Sequence, residues 1–318
     1  MSDLKVLKSI FMTPEKQLLD ILYKKLQKSY GKKSVVRTKD FLIAKGSIPV
    51  ALVAHVDTVF PSPPKEEEIF YDSEKNVMWS EAGLGADDRA GVFSILKIIE
   101  RGYRPHIIFT TAEERGGIGA SLLTSRFPDP FAEIKYLIEL DRRGTNDCVF
   151  YDSMNIDFID YVESFGFKEQ RGLFSDISII CPAWDRAGVN LSIGYRNEHS
   201  YIETLHLNHM YATIDKVIHM LEDADSVDIF KYEGYFQTEM DLNDYITECS
   251  VCGKLIYSYE SIPVINEEGL IETFCSACLT DEEDNISWCI NCGRPFKKNG
   301  ELSCDKCGIM NDYWEVVE

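Results

Sequence analysis

Six acidic or imidazole side chains stand at positions from which they could serve one reaction centre. Val50-Ala51-Leu52-Val53-Ala54 leads into His55-Val56-Asp57-Thr58-Val59, and His106-Ile107-Ile108-Phe109-Thr110-Thr111 leads into Ala112-Glu113-Glu114. Tyr136-Leu137-Ile138-Glu139-Leu140 leads into Asp141, and Asn190-Leu191-Ser192-Ile193-Gly194-Tyr195 leads into Arg196-Asn197-Glu198-His199. The segment Gly83-Leu84-Gly85-Ala86-Asp87-Asp88-Arg89-Ala90-Gly91 carries Asp87 just before a helical pattern. Imidazole and carboxylate are suitable zinc ligands, and a catalytic zinc keeps an open position for water. Two metals roughly 3.5–4 Å apart need one bridging carboxylate and about two further ligands each. Two His, two Asp and one Glu meet that demand. One Glu is left over and is free to act as general base on a metal-bound water.

Each group alone has a plainer reading. A His at a strand end is more often a packed polar residue, adjacent glutamates usually form a solvated face, and Asp is a favoured helix cap. Five such groups placed to reach one crevice favour a site. Asp88 and Glu139 read as structural or solvent-facing, and Asp176 as a helix cap. His206 and His209 fall in the final helix region. Cys148 and Cys181 read as buried thiols. Arg142, Arg143 and Arg196 lie beside the candidate ligands, where they would hold a substrate carboxylate bidentately or form surface salt bridges.

Positioning these residues requires strands alternating with helices. Apolar runs at Phe41–Ala44, Val50–Ala54, His106–Thr111, Tyr136–Leu140 and Gly188–Tyr195 alternate with helical patterns near 88–101, 117–125, 155–165 and 208–222. Thr13 and Pro14 predict a helix start over 13–30, and 67–80 predicts an exposed hairpin. The expected fold is α/β, a mostly parallel sheet sandwiched by helices, whose C-terminal strand ends converge on one crevice. The chain is predicted to divide into a catalytic domain over 1–240 and a small domain over 244–318, with a linker around 223–247.

The strings HVDTV, GLGADDRAG, TAEERGG, ELDRRG and GYRNEHS resemble the ordered motifs of the co-catalytic zinc exopeptidases. That superfamily includes peptidase T, the bacterial leucyl aminopeptidases and the acylase-like enzymes. The resemblance covers about 45–220. It implies His55 on one zinc and His199 on the other, with Asp87 bridging and Glu114 and Asp141 completing the shells. Glu113 is implied as general base and Asp57 as the group orienting the His55 imidazole. The implied reaction is attack of zinc-activated hydroxide on an amide carbonyl. Many relatives carry a lid domain between the motifs of Asp141 and His199. Here only 57 residues (142–198) separate them, so a lidless catalytic domain is expected.

Eight of the ten cysteines form four Cys-x-x-Cys pairs: Cys249/Cys252, Cys275/Cys278, Cys289/Cys292 and Cys304/Cys307. Two such pairs complete a tetrahedral four-thiolate zinc site, so two structural zincs in tandem ribbons are expected. Glycine follows the second cysteine in three pairs, at Gly253, Gly293 and Gly308, and permits a tight turn there. So small a segment has too little core to fold without metal.

The net charge of −20 disfavours nucleic acid and anionic membrane as partners, since both require a positive surface. No secretory signal or membrane-length apolar run is evident, and a cytoplasmic location is expected. Two catalytic zincs are expected, with manganese or cobalt as substitutes. The leading expectation is an aminopeptidase acting on short peptides. The alternatives are an N-acyl amino acid deacylase using the same chemistry, and a non-catalytic adaptor whose ribbons bind a protein partner.

Overall fold

The structure, a computed structural model, describes residues 2–128, 131, 133–151, 153–234 and 246–249, and the backbone of short strands between 255 and 297. The chain divides into two compact units, Met1–Tyr235 and Phe236–Glu318. The first unit begins with α1 (Asp3–Phe11), α2 (Glu15–Tyr30), β1 (Val35–Arg37), β2 (Phe41–Ala44) and β3 (Ile48–His55). It continues with β4 (Ile69–Asp72), β5 (Val77–Ser80), α3 (Ala86–Glu100), β6 (Pro105–Thr110), α4 (Ile118–Arg126) and β7 (Tyr136–Arg142). It closes with β8 (Asp147–Val149), α5 (Ile156–Ser164), β9 (Lys168–Glu169), α6 (Ile177–Trp184), β10 (Gly188–Ser192), β11 (Tyr195–Arg196), β12 (Thr204–His206) and α7 (Leu207–Asp223).

Eight strands form one sheet in the order β1-β2-β6-β3-β7-β10-β8-β9, and its central strands β6, β3, β7 and β10 run parallel. These strands read as near-continuous apolar runs because both faces are covered. Alternate side chains of β3 enter different cores. Val50, Leu52 and Ala54 pack with residues of α1, α2, α3 and α7, while Ala51 and Val53 pack with residues of α4 and α6. The sheet is thus sandwiched by helices, as expected. The hairpin β4–β5 joins β12 and β11 in a separate antiparallel sheet.

Successive strands diverge to either side of β3: β6 pairs with one edge and β7 with the other. The C-terminal end of β3 therefore opens onto the crevice where ligands of open α/β sheets bind. Helix α3 packs tightly behind it. A Cβ at Gly91 would overlap the Leu140 carbonyl oxygen and the Asp88 carboxylate.

Several local expectations are corrected. Thr13 does not cap α2; its hydroxyl donates to the Ser9 carbonyl at the end of α1, and Pro14 lies just outside the helix. Helix α1 precedes the predicted start. The run Gly188–Tyr195 is two strands, broken at Gly194, whose φ of 95° only glycine adopts readily. Helix α6 is short and contains Pro182, so the sequence carries little periodic signal for it. Residues 224–227, at the start of the predicted linker, accept hydrogen bonds from the Lys135 ammonium, and Phe230 packs on Tyr136, Phe158 and Tyr161. In the second unit, β13 (Ile246–Glu248) pairs with β14 (Leu255–Tyr257), β15 (Ile262–Ile265) with β16 (Ile271–Phe274), and β17 (Ile286–Trp288) with β18 (Pro295–Lys297).

Two buried polar groups make this fold testable. Arg89 donates from Nη1 to the carbonyls of Ile10, Phe11 and Thr13, at 3.0, 2.9 and 2.6 Å. The R89M variant strands those acceptors and should lower stability by about 3 kcal/mol in urea unfolding. An unchanged urea midpoint would show that water replaces the arginine. His106 is buried, accepts from the Gly46 N–H, and burial lowers its pKa to about 4. The unfolded chain takes up a proton near pH 6.5 that the folded chain excludes until about pH 4. Stability is therefore complete above 6.5 and falls through that window. At pH 5 the loss is about 2 kcal/mol, and it should disappear from the pH profile of H106Q.

Candidate metal centre

His55 ends β3 and is fully buried. Asp87 follows Gly85 at the start of α3 in non-helical backbone, and the Asp87–Asp88 peptide is cis. Glu113 and Glu114 follow Ala112, whose φ of 58° turns the chain sharply after β6. Asp141 lies near the end of β7, and His199 sits in the loop after β11 at φ 59°, about half exposed. These segments meet. His55 Nε2 lies 3.2 Å from Asp87 Oδ1, 3.4 Å from Asp141 Oδ1 and 3.9 Å from Glu113 Oε2. His199 Nε2 lies 3.1 Å from Asp87 Oδ2 and 3.0 Å from Glu114 Oε2. Asp87 thus faces a different imidazole with each oxygen.

The electrostatics express the crowding. Burial, then the charge of His55 and Asp141, acts on Glu113, and the net effect pushes its carboxyl up to about 9. Burial and Asp87 push Asp141 up to about 7. Burial opposes ionisation of Asp87 too, but hydrogen bonds from His199 and His55 hold it well below the carboxylate range. Hydrogen bonds to Asp87 and Glu114 raise His199 to about 11. For His55, burial works against the charge and the carboxylates of Asp141, Asp57 and Asp87 outweigh it.

The donor set fits divalent cations. Ligand atoms of His55, Asp87 and Asp141 lie within 4.8 Å of one another, as do those of Asp87, Glu114 and His199, and those of His55, Glu113 and Glu114. Glu114 Oε1 is buried without a hydrogen-bond partner. Positive charge at this point would return the raised carboxyls to their anionic form. Asp57 does more than face His55, from whose Nδ1 its Oδ1 lies 3.4 Å. Its carboxylate also accepts from the backbone N–H groups of Glu113 and Glu114, at 3.2 and 3.3 Å.

Several supporting residues were missed or misjudged from sequence. Of the two readings of Asp88 and Glu139, structural or solvent-facing, the structure bears out the first: both are fully buried. Asp88 accepts from the N–H groups of His55 and Gly91, joining β3 to α3. Glu139 accepts from the Ser175 hydroxyl, which also contacts Asp141 Oδ2 at 3.2 Å. The Tyr195 hydroxyl donates to Asp141 Oδ1 at 3.0 Å. Asp176 occupies the cap position of α6, but its carboxylate accepts from the Thr110 hydroxyl instead of the helix. Cys148 and Cys181 are buried, as expected. His206 ends β12 and stacks on His209 of α7.

Glu203 is the main omission. Fully buried, it accepts from the N–H groups of Gly85, Ala86 and Asp87 at 2.7, 3.1 and 3.1 Å. It therefore sets the loop that aims Asp87. Its spacing of four from His199 is the one signal the sequence offered.

Arg142 and Arg143 line a cleft of about 450 Å³ together with Glu113, Glu114 and His199. Arg196 lines a neighbouring cleft beside Arg143, Glu198 and His199. Of the eight paired cysteines, Cys249 is described and buried; Cys252, Cys275, Cys278, Cys289, Cys292, Cys304 and Cys307 lie outside the described residues.

No family model matches the chain, and no curated protein does. Solved structures do. An aminopeptidase PepT from Bacillus cereus aligns with 70% of this chain and 98% of its own, at 15% identity and TM-score 0.52. A tripeptidase from Staphylococcus aureus aligns with 71% and 98%, at 13% identity and TM-score 0.55. An aminopeptidase from the archaeon Desulfurococcus kamchatkensis aligns with 70% and 94%, at 14% identity and TM-score 0.52. The fold implied by the motif resemblance is the fold these peptidases share.

Glu203 yields a prediction. In E203Q the side-chain N–H₂ confronts backbone donors, which should weaken zinc or manganese binding about tenfold by calorimetric titration. Unaltered affinity would mean the Asp87 loop keeps its shape unaided.

Proposed function

We propose that the first unit is a metal-dependent hydrolase of amide bonds, working as an aminopeptidase on short peptides. The observation that carries this reading is Asp87, whose two carboxylate oxygens lie 3.2 and 3.1 Å from two imidazoles supplied by distant segments. A carboxylate so placed suits a bridge between two cations. The fold shared with an aminopeptidase and a tripeptidase supports the substrate class.

His55, Asp87 and Asp141 would hold one cation, and Asp87, Glu114 and His199 the other. Zinc is the expected metal, with manganese or cobalt able to replace it. Bound there, the pair supplies Lewis acidity toward a carbonyl and an acidified water. The chain's own groups do the rest. Glu113 accepts a proton at its carboxylate and returns it to the departing amine. Asp57 fixes Glu113 and Glu114 through their backbone N–H groups, and Tyr195 with Ser175 fixes Asp141. Between Asp141 and His199 the chain folds as β8, α5, β9, α6, β10 and β11, which supports a catalytic domain without a large lid and a crevice open to short peptides.

For the second unit we propose two structural zincs on the cysteine pairs and a role in binding a protein partner. The chain's charge argues against nucleic acid and anionic membrane as partners. Among the described residues no helix is long and apolar enough to cross a membrane, and the working location proposed is the cytoplasm.

The test is hydrolysis of short peptides with free or acetylated amino termini by protein loaded with zinc. E113Q should lose 10²–10⁴-fold in kcat (order of magnitude) while keeping its bound metal, and chelation should abolish turnover. Equal kcat for E113Q and the parent would remove Glu113 from the reaction, and preference for acetylated substrates would convert the aminopeptidase into a deacylase.

A further inference from the structure

The net charge of −20 conceals a reversal of sign at one end of the chain. Residues 1–50 carry 11 basic and 4 acidic side chains, a net +7, whereas residues 51–318 carry 22 basic and 49 acidic ones, a net −27. Much of the positive charge lies on the exposed side of α2 and in the turn after it. Lys24, Lys25, Lys28, Lys32 and Lys33 are all exposed there, and among the described residues no ion pair involves any of them.

Lys25 and Lys28 border a groove of about 570 Å³ lined by α1, α2 and α3. Its floor is apolar: Phe93 and Ile99 are buried there, and Val6 and Leu96 are half-buried. The two acids on its lining, Asp3 and Glu100, both engage Lys97, at 3.0 and 2.6 Å. Arg104 donates to the carbonyls of Ser29, Ile99 and Tyr103 and pairs with no carboxylate among the described residues. Lys25, Lys28 and Arg104 therefore border the groove without a counter-ion. The groove lies at the far end of α3 from the metal centre, since about 20 Å of helix separates Glu100 from Asp87.

Lysines on an outer helix face are ordinarily solvated and need no partner. An apolar floor beside an unopposed basic rim is a different case. Carboxylates of a partner gain from the local field while its apolar side chains leave water. The negative charge of the rest of the chain repels an acidic partner everywhere else and so steers it to this end.

We propose that this groove docks an acidic peptide segment of another protein, one that sets an aromatic or branched apolar side chain on the floor between flanking carboxylates. Lys25, Lys28 and Arg104 supply the positive rim, and Val6 and Leu96 the accessible apolar contact. The surface is separate from the metal centre and does not depend on the reaction proposed there.

The experiment measures binding of labelled peptides to the full-length, zinc-loaded protein by fluorescence anisotropy. The probes are acetyl-Glu-Leu-Glu-Phe-Glu-Glu amide, a version with Gln in place of every Glu, and a version with Ser in place of Leu and Phe. Both ends are blocked, which keeps the probes from acting as aminopeptidase substrates. The acidic apolar peptide should bind about tenfold more tightly than either control. Raising salt from about 50 to about 300 mM should weaken it severalfold. K25E together with K28E should abolish the preference for Glu over Gln, whereas K32E with K33E, outside the groove, should change affinity less than about twofold. L96S should narrow the gap between the apolar and Ser peptides while leaving the salt sensitivity in place. An unchanged urea midpoint for the K25E/K28E protein separates lost docking from lost fold. Equal affinity for the Glu and Gln peptides, an equal loss in the Lys32 and Lys33 variant, or no binding of any probe would overturn the proposal. Single-stranded RNA that binds as tightly as the acidic peptide would overturn it too, by making the groove a nucleic-acid surface.

Discussion

Burying carboxylates beside one another is among the least favourable things a fold can do, because each anion loses water and gains a repulsive neighbour. This protein does so at the end of β3, where Asp87, Glu113, Asp141 and Asp57 crowd around one buried imidazole. Such an arrangement is stable only with compensating positive charge, and two histidines supply part of it. The remaining deficit is visible in the raised carboxyls of Glu113 and Asp141. Nearly every supporting contact around the cluster serves to prevent these groups from relaxing apart. Asp88 ties β3 to α3, Glu203 clamps the Asp87 loop, and Asp57 clamps the Glu113 turn.

The sheet supplies the precision this requires. Parallel strands buried on both faces deliver residues from separate parts of the chain to one edge, and the close seating of α3 at Gly91 leaves its first turn little freedom. Loops on such a scaffold can vary while the strand ends stay fixed, which accounts for likeness of fold to peptidases at only 13–15% identity.

What was legible in the residues follows from period and position. Apolar runs of five to eight residues marked the central strands, and polar groups within a few residues after each run marked what reaches the crevice. His55, Glu113, Glu114, Asp141 and His199 were readable in that way, since proximity to a strand end is a local property, and Asp87 was readable from the glycine-rich segment 83–91 that leads into a helix. Glu203 was not, because its role is to accept three backbone N–H groups more than a hundred residues away. Glu139 sits inside an apolar run, where period alone gives no reason to expect a carboxyl held by a serine from another loop. Helix α6 was hidden by its proline and by apolar residues around most of its surface. Long-range hydrogen bonding and two-sided burial leave no periodic trace.

Arg89 stands two residues from Asp87, and its guanidinium grips the chain where α1 gives way to α2. The amino-terminal helices and the loop bearing the shared carboxylate are therefore fastened at a single buried charge. Fraying at the start of the chain cannot stay local, as it frequently does elsewhere in proteins. Opening of the α1–α2 junction should therefore loosen the head of α3 as well, and amide protons of the two segments should exchange with solvent together.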